Sequence, residues 1–204
     1  MKKIFKIALV ALFGVVGYTA NAQETGLSLK AGANFNGASG DDAKGSKGVV
    51  GFHAGLGYEV GFTDIFAFET GVYFDTRGYK YEVLEETLLT KKIESKTNIY
   101  SVTVPVLAKA RFEVLPDVRA FVNAGPFANI GIMGKKKLGD KSEDVKFGNK
   151  EGEIERFGYG VNFGAGVEFN KFVVGVGYDL GLSKLHKDIK AYNNAFKVSV
   201  GFKF

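Results

Sequence analysis

The chain has no cysteine and no tryptophan, and only 3 prolines and 2 histidines among its 204 residues. Without cysteine there is no disulfide framework and no thiol chemistry. Nor can the chain carry a lipoprotein anchor, which needs a cysteine at the processed N-terminus. Zinc-ligand spacing, a calcium loop and a phosphate-binding glycine loop are all missing. Long apolar runs are scarce too. Ile7–Tyr18 spans 12 residues, short of the ~20 that a helical membrane span needs. The formal charge is +5, and falls to +2 without Lys2, Lys3 and Lys6. Both signs are interspersed, which is not the basic footprint of a nucleic-acid binder.

What the chain does contain is 28 glycines, 19 phenylalanines and 9 tyrosines. That composition suits many tightly packed strands in one domain. Residues 1–22 have a basic start, a short apolar core and the small-residue site Ala20-Asn21-Ala22. They read as a cleaved signal peptide, with a mature domain over 23–204.

From Gly26 onward, apolar and polar residues alternate with period two. The alternation predicts eight strands: Gly26–Asn36, Val49–Val60, Ile65–Arg77, Asn98–Phe112, Val118–Ile132, Phe157–Phe169, Phe172–Leu182 and Ala195–Phe204. In the last, Phe196, Val198, Val200, Phe202 and Phe204 share one face, while Lys197, Ser199, Gly201 and Lys203 share the other. The links alternate in length. Gly61–Asp64, Glu113–Asp117 and Asn170–Lys171 are short; 37–48, 78–97, 133–156 and 183–194 are long and polar. Short turns at one rim and long loops at the other mark an outer-membrane barrel. The expected fold is therefore all-β, an eight-stranded antiparallel transmembrane barrel with up-and-down meander topology, in the outer membrane of a Gram-negative bacterium. A soluble lipocalin-like barrel is the alternative, but it would put the charges outside and leave the glycines without a use.

An eight-stranded barrel has an interior that side chains can fill. The face opposite the apolar one carries Lys30, Glu69, Asp75, Arg77, Lys109, Arg111, Arg119, Glu168, Asp179 and Lys197. Buried charges must be paired, so these residues predict an internal ion-pair network and a plugged lumen. Inward glycines such as Gly158, Gly160, Gly164, Gly166, Gly175 and Gly177 leave room for the long Lys and Arg side chains. Phe and Tyr near the strand ends suit interfacial girdles.

Three stretches carry a family resemblance: Tyr100–Phe112 (YSVTVPVLAKARF), Phe121–Phe127 (FVNAGPF) and Phe157–Phe169 (FGYGVNFGAGVEF). They resemble the PorT-like outer-membrane β-barrels of Bacteroidetes. The resemblance implies an eight-stranded barrel, and for some relatives a place in a secretion or gliding assembly. The ending with Gly201, Phe202 and Phe204 is similar to the signal that barrel-assembly machinery reads. Pro105 and Pro126 fall inside adjacent strands and predict a bulge or kink, because each removes a ladder donor.

His53 and His186 are the candidate bases for a lipid-modifying site, which would also need a nucleophile and a carboxylate. Nothing in the spacing fixes such a site, and a lumen histidine bonded to an acid is the simpler reading. No catalytic, cofactor or metal residue is assigned. Lys135-Lys136-Lys137 lie in a loop expected to be solvated. Tyr79, Tyr81 and Val83 match Ile93, Ser95 and Thr97, so the third and fourth strands are expected to continue beyond the membrane as a hairpin. The expected role is a plugged structural or interaction module that meets lipid, lipopolysaccharide and a possible protein partner through its loops. The rivals are a narrow pore, an assembly subunit and a lipid-modifying enzyme.

Overall fold

The computed structural model describes residues 24–43, 45–85, 91–139, 141–148, 153–185 and 190–204. The expected signal peptide and His186 lie outside the described residues. The strands are β1 (Glu24–Ser39), β2 (Ser46–Lys47), β3 (Val49–Gly61), β4 (Phe66–Glu85), β5 (Lys91–Leu115), β6 (Val118–Leu138), β7 (Lys141–Asp144), β8 (Phe157–Phe169), β9 (Phe172–Gly181) and β10 (Tyr192–Lys203). Eight of them form the barrel; β2 and β7 are short additions beside β4 and β6. Each barrel strand pairs antiparallel with the next in sequence, and β1 pairs with β10, Ala31 opposite Val200, to close the sheet. The eight-stranded meander is as the alternation predicts.

The two faces are inverted relative to a water-soluble protein. Leu29, Phe52, Val122, Phe163, Val174 and Val200 are among the exposed large apolar residues, while Asn34, Asp75, Lys109, Arg111, Glu168 and Asp179 are buried. This is what a strand does when one face meets lipid and the other a filled lumen. At one rim the turns are tight. Asp117 and Asn170 take positive φ, at 64° and 51°, a conformation Asp and Asn adopt more readily than other non-glycine residues. The Asn170 amide donates to the Asp117 carbonyl at 3.1 Å, tying two neighbouring turns together.

At the other rim several strands run on past the apolar band. The β4–β5 ladder continues to Glu85 opposite Lys91, with Tyr79 opposite Thr97, Tyr81 opposite Ser95 and Val83 opposite Ile93. That is the register expected of the hairpin. The segment 133–156, expected as a loop, is partly sheet: β6 reaches Leu138 and pairs with β7. Charged residues on both faces hide such a strand from an alternation test, because a strand in water has no apolar face to show. From there the chain turns back over the mouth. Val145 NH donates to the Gly134 carbonyl at 2.9 Å and Gly131 NH to the Arg156 carbonyl at 2.7 Å.

Two further expectations are corrected. No bulge forms at the prolines. Pro105 pairs with Phe127 and Ala108 with Ala124 in one unbroken register, the pairs between them being absent from the ladder. Thr70 instead donates its hydroxyl to the Pro105 carbonyl at 2.8 Å. The register shifts lie at Tyr100/Ser101 and Glu113/Leu115, and the first leaves neighbours Ile132 and Met133 both exposed. Second, the inward glycines mainly make room for aromatic rings and amides rather than for Lys and Arg. A Cβ on Gly160 would meet the Phe127 ring at 2.7 Å, one on Gly166 the Phe121 ring at 2.6 Å, and one on Gly71 the Tyr73 ring at 2.6 Å. Strand glycines commonly mark such close approaches.

Gly57 tests this complementarity, because its added Cβ would meet the Tyr73 hydroxyl and the Ser28 Oγ, both at 2.7 Å. Gly57→Ala is expected to cost about 1–3 kcal/mol of folding stability by overpacking. Most of that cost should vanish in a Tyr73→Phe, Ser28→Ala background, as read by urea unfolding in lipid vesicles. An undiminished cost there would show that the ring does not need the space.

Candidate functional site: the charged lumen

Successive inward positions on neighbouring strands stack the charges into two storeys. In the one nearer the short turns, Lys109 of β5 is 1% exposed. Its ammonium lies 2.6 Å from Glu59, 3.3 Å from Glu69 and 2.5 Å from Glu168. Arg111 reaches Glu59 at 3.0 Å. Lys203 bridges Glu59 and Glu168 at 3.1 and 2.8 Å, and Lys30 pairs with Glu69. The three glutamates thus converge on the place a cation would take, and Lys109 holds it. Beneath the ammonium the Phe121 ring centroid lies at 4.2 Å, within cation–π range.

In the second storey, Arg77 joins Asp75 at 3.1 Å and Asp179 at 2.8 Å, and Lys197 joins each of them at 2.9 Å. Arg77 also lies over the Phe127 ring, 4.9 Å from its centroid. Asn162 donates to Asp179 at 2.6 Å and Thr103 to Asp75 at 3.2 Å. These bonds take up carboxylate lone pairs that would otherwise be buried without a donor.

His53 belongs to the same storey. Its Nδ1 lies 2.6 Å from the Asn34 Oδ1 and its Nε2 2.9 Å from the Ser199 Oγ. Asn34 gives its NH2 to Asp75 and to backbone carbonyls, so its oxygen must face the ring. The neutral imidazole therefore donates from Nδ1 and accepts the Ser199 hydroxyl proton at Nε2. Hydroxyl, imidazole and amide stand in the order of nucleophile, base and orienting group. Yet His53 is 5% exposed, and the Asn34 amide is already committed to Asp75. The arrangement locks the ring; it does not present it to lipid.

Between the storeys lies a cavity of about 110 Å³, lined in part by Lys30, His53, Tyr73, Phe121, Phe127 and Ser199. A smaller one of about 40 Å³ lies above Arg77. Over the mouth, Ala43, Tyr79, Leu185 and Ala191 form an apolar cluster flanked by Ala38 and Tyr81. Burial, and then the neighbouring Tyr81, hold the Tyr79 phenol above its ordinary pKa, so it stays neutral. Glu155 NH donates to the Leu185 carbonyl at 3.0 Å, and Leu185 NH to the Ala191 carbonyl at 2.8 Å. Two of the long connections are thereby stitched together above the lumen.

Of the ten charges expected inside, nine take part in these ion pairs. Arg119 is half-buried at the short-turn end, opposite Glu113 on β5 and Glu168 on β8. Two more charges belong to the network: Glu59, in step with the inward row of β3, and Lys203, which the alternation put on the inward face but which was not counted among the expected ion pairs. Phe121, Phe127 and Tyr73 were also missed as inward residues. Phe202 packs edge-on against Phe172 and Phe204, at 5.4 and 5.5 Å between centroids.

A closed meander, apolar outside and charged within, is the architecture of a bacterial outer-membrane barrel. Residues 21–187 match the family described as Outer membrane protein beta-barrel domain. The chain belongs to that family. Its place is the outer membrane of a Gram-negative bacterium. Among solved structures, Neisserial surface protein A is similar over 89% of this chain and all of its own, at 15% identity and a TM-score of 0.51. The Yersinia pestis attachment invasion locus protein Ail covers the same share, with all of its own length, at 22% identity and TM-score 0.45. OprG from Pseudomonas aeruginosa covers 91% of this chain and 98% of its own at 11% identity and TM-score 0.44. At such identities the likeness concerns the fold alone. No curated protein matches the chain.

Truncating Lys109 leaves three carboxylates around an empty centre. Lys109→Ala is expected to cost about 3–5 kcal/mol, the usual penalty for breaking a buried pair from one side. Adding Glu168→Gln should recover part of that loss. Thermal unfolding of the refolded barrel, followed by the mobility difference between heated and unheated samples in electrophoresis, measures both. Additive losses in the double variant would contradict the network.

Proposed function

We propose that this barrel does not conduct solutes and serves the cell envelope as a structural and interaction module, with the sheet beyond the membrane as its working surface. The observation that carries this reading is the Lys109 centre. One ammonium and three glutamates from β3, β4, β5 and β8 meet across the lumen, with Arg111 and Lys203 beside them. Opening a path there means separating charges in a place that water hardly reaches, which is expensive. The second storey and the apolar cluster over the mouth add two further barriers in series. The mature chain spans 23–204 on this reading, and its terminal aromatic strand serves recognition by the barrel-assembly machinery.

A second reading is a subunit of a secretion or gliding assembly. The PorT-like strand motifs at Tyr100–Phe112 and Phe157–Phe169 favour it, as does the long β4–β5 hairpin, which offers backbone edges to a partner strand. A lipid-modifying enzyme finds less support. The Ser199–His53–Asn34 set lies inside the barrel, so His53→Ala should leave the cell's lipid profile unchanged.

Planar-bilayer recording tests closure. The wild-type barrel is expected to give no discrete conductance steps. An Arg77→Ala, Lys109→Ala, Lys197→Ala variant should give measurable ones once both storeys are broken. Steps of similar size in the wild type would overturn the closed-barrel reading. Mass spectrometry of the gently extracted protein then separates the remaining two. Partners in fixed ratio support the assembly subunit, and lipid alone supports the stand-alone module.

A further inference from the structure

Two kinds of glycine face the lumen. Gly71, Gly160 and Gly166 give way to aromatic rings. Gly175 and Gly177 of β9 do not. A Cβ on Gly177 would meet nothing nearer than the Phe163 carbonyl at 3.5 Å and the Asn162 amide at 3.6 Å, and one on Gly175 nothing nearer than the Ala165 carbonyl at 3.3 Å. These are close to ordinary contact distances, so no neighbour occupies the place of either side chain. What the two residues withhold is volume. Both line the cavity of about 110 Å³ between the storeys.

Two polar groups in the wall of that cavity lack partners. Tyr73 is 8% exposed, and its phenol makes no hydrogen bond among the described residues. The Asn123 Oδ1 is buried, again with no donor among them. Buried polar groups nearly always find a partner, either in the protein or in ordered water.

The chemistry of the wall defines what completes these bonds. Its charges are already met, Lys30 by Glu69 and Asp179 by Lys197, so the occupant is neutral. It must both donate and accept, because Asn123 Oδ1 needs a donor and the Tyr73 hydroxyl proton needs an acceptor. It must also be small. A storey of ion pairs lies on each side, and a larger molecule would have to break one to enter. Water meets all three conditions. A cavity with hydrocarbon walls stays dry, but Lys30, Ser199 and Asn162 make these walls polar. At ~30 Å³ of liquid volume each, about three or four waters fill the space.

Burial divides the lumen in the same way. On the side of β1, β8 and β10, the inward residues Lys30, Asn162, Lys197 and Ser199 are only half-buried, whereas Glu69, Asp75, Thr103 and Lys109 of β4 and β5 are buried. Side chains fill one half of the barrel. Glycines keep the other half open.

We propose that the space held open by Gly175 and Gly177 is a binding site for a cluster of ordered waters, which complete the hydrogen bonding of Tyr73 and Asn123 between the two storeys. The site is independent of what the outer loops contact.

The test is nuclear magnetic resonance of the barrel in phospholipid nanodiscs, reading magnetisation transfer from water to side-chain amides. The Asn123 NH2 is expected to receive it. The Asn34 NH2 is the internal control and is expected to receive none, since Asn34 is 0% exposed and gives its amide to Asp75 and to the Phe52 and Thr76 carbonyls. Gly177→Val puts two methyl groups into the cavity and should lower the transfer to Asn123 at least threefold. Heat-modifiable mobility establishes that this variant is folded; if it is not, the contrast between Asn123 and Asn34 in the wild type decides. Absence of transfer to Asn123, equal transfer to Asn34, or an undiminished signal in folded Gly177→Val overturns the proposal. So does a small organic solute retained one-to-one in native mass spectrometry, which would assign the cavity to that solute.

Discussion

Burying a charge in a narrow lumen governs the rest of this structure. Moving a carboxylate or ammonium out of water costs several kcal/mol even after relaxation. Every charged side chain that points inward must therefore find opposite charge or donors within reach. The Lys109 centre meets that demand by drawing Glu59, Glu69 and Glu168 from three other strands. Such a centre forms only if β3, β4, β5 and β8 are in the right register, since a slip of one residue would turn the same groups toward lipid. The network thus specifies register as much as it contributes stability.

Glycine and aromatic positions are the second half of the same solution. Charges alone would leave gaps between storeys, and an apolar filler must come from the inward face without thinning the sheet. Tyr73, Phe121 and Phe127 supply it, lying over Gly71, Gly166 and Gly160. The Phe121 and Phe127 rings then offer their faces to Lys109 and Arg77. One set of residues fills space and also solvates cations, so the lumen can be polar without being wet throughout. The cavity left between the storeys is lined by both kinds of group, Tyr73 and Phe121 beside Lys30 and Ser199.

Within the membrane, the sequence carries most of this plainly. Tyr100–Phe112 alternates because its two faces meet different media, and the same holds for Phe172–Gly181. The hairpin register was readable from the alternation through Tyr79, Tyr81 and Val83, and Tyr79 and Tyr81 still have an apolar cluster at the mouth to face. The signal fades where the two faces meet the same medium. Lys135–Leu138 reads as a charged loop, although it forms sheet with β5 and β7. Within the lumen, Phe121 and Phe127 escaped because an inward phenylalanine looks like a departure from the polar row. Pairing with the specific glycines opposite them on β8, Gly166 and Gly160, is not a periodic property. Glu59 and Lys203 were the opposite case. Both are in step with inward neighbours, and Lys203 was already on the inward face of its strand; each needed only to be counted with the other charges. The prolines interrupt the ladder, as a missing donor should, but no bulge follows: two pairs are skipped and the register is kept.

The two charged systems, inside and outside, are carried by the same strands and are balanced differently. Inside, Asp75 and Asp179 each meet both Arg77 and Lys197, so the storey cancels its own field. Outside, Lys80, Lys96 and Lys137 of β4, β5 and β6 are opposite one another in register. A compact neutral network exerts little force beyond the lumen wall, whereas a row of like charge at a water interface acts over about a Debye length, ~8 Å at physiological salt. The strands that hold both are continuous: β5 alone runs from Lys91 to Leu115. Its lower half is fixed by Lys109 and Arg111 in the lumen, so its upper half continues from a strand whose register is already set. The ion pairs that fix the register inside the lumen thus also fix where the sheet stands beyond the apolar band.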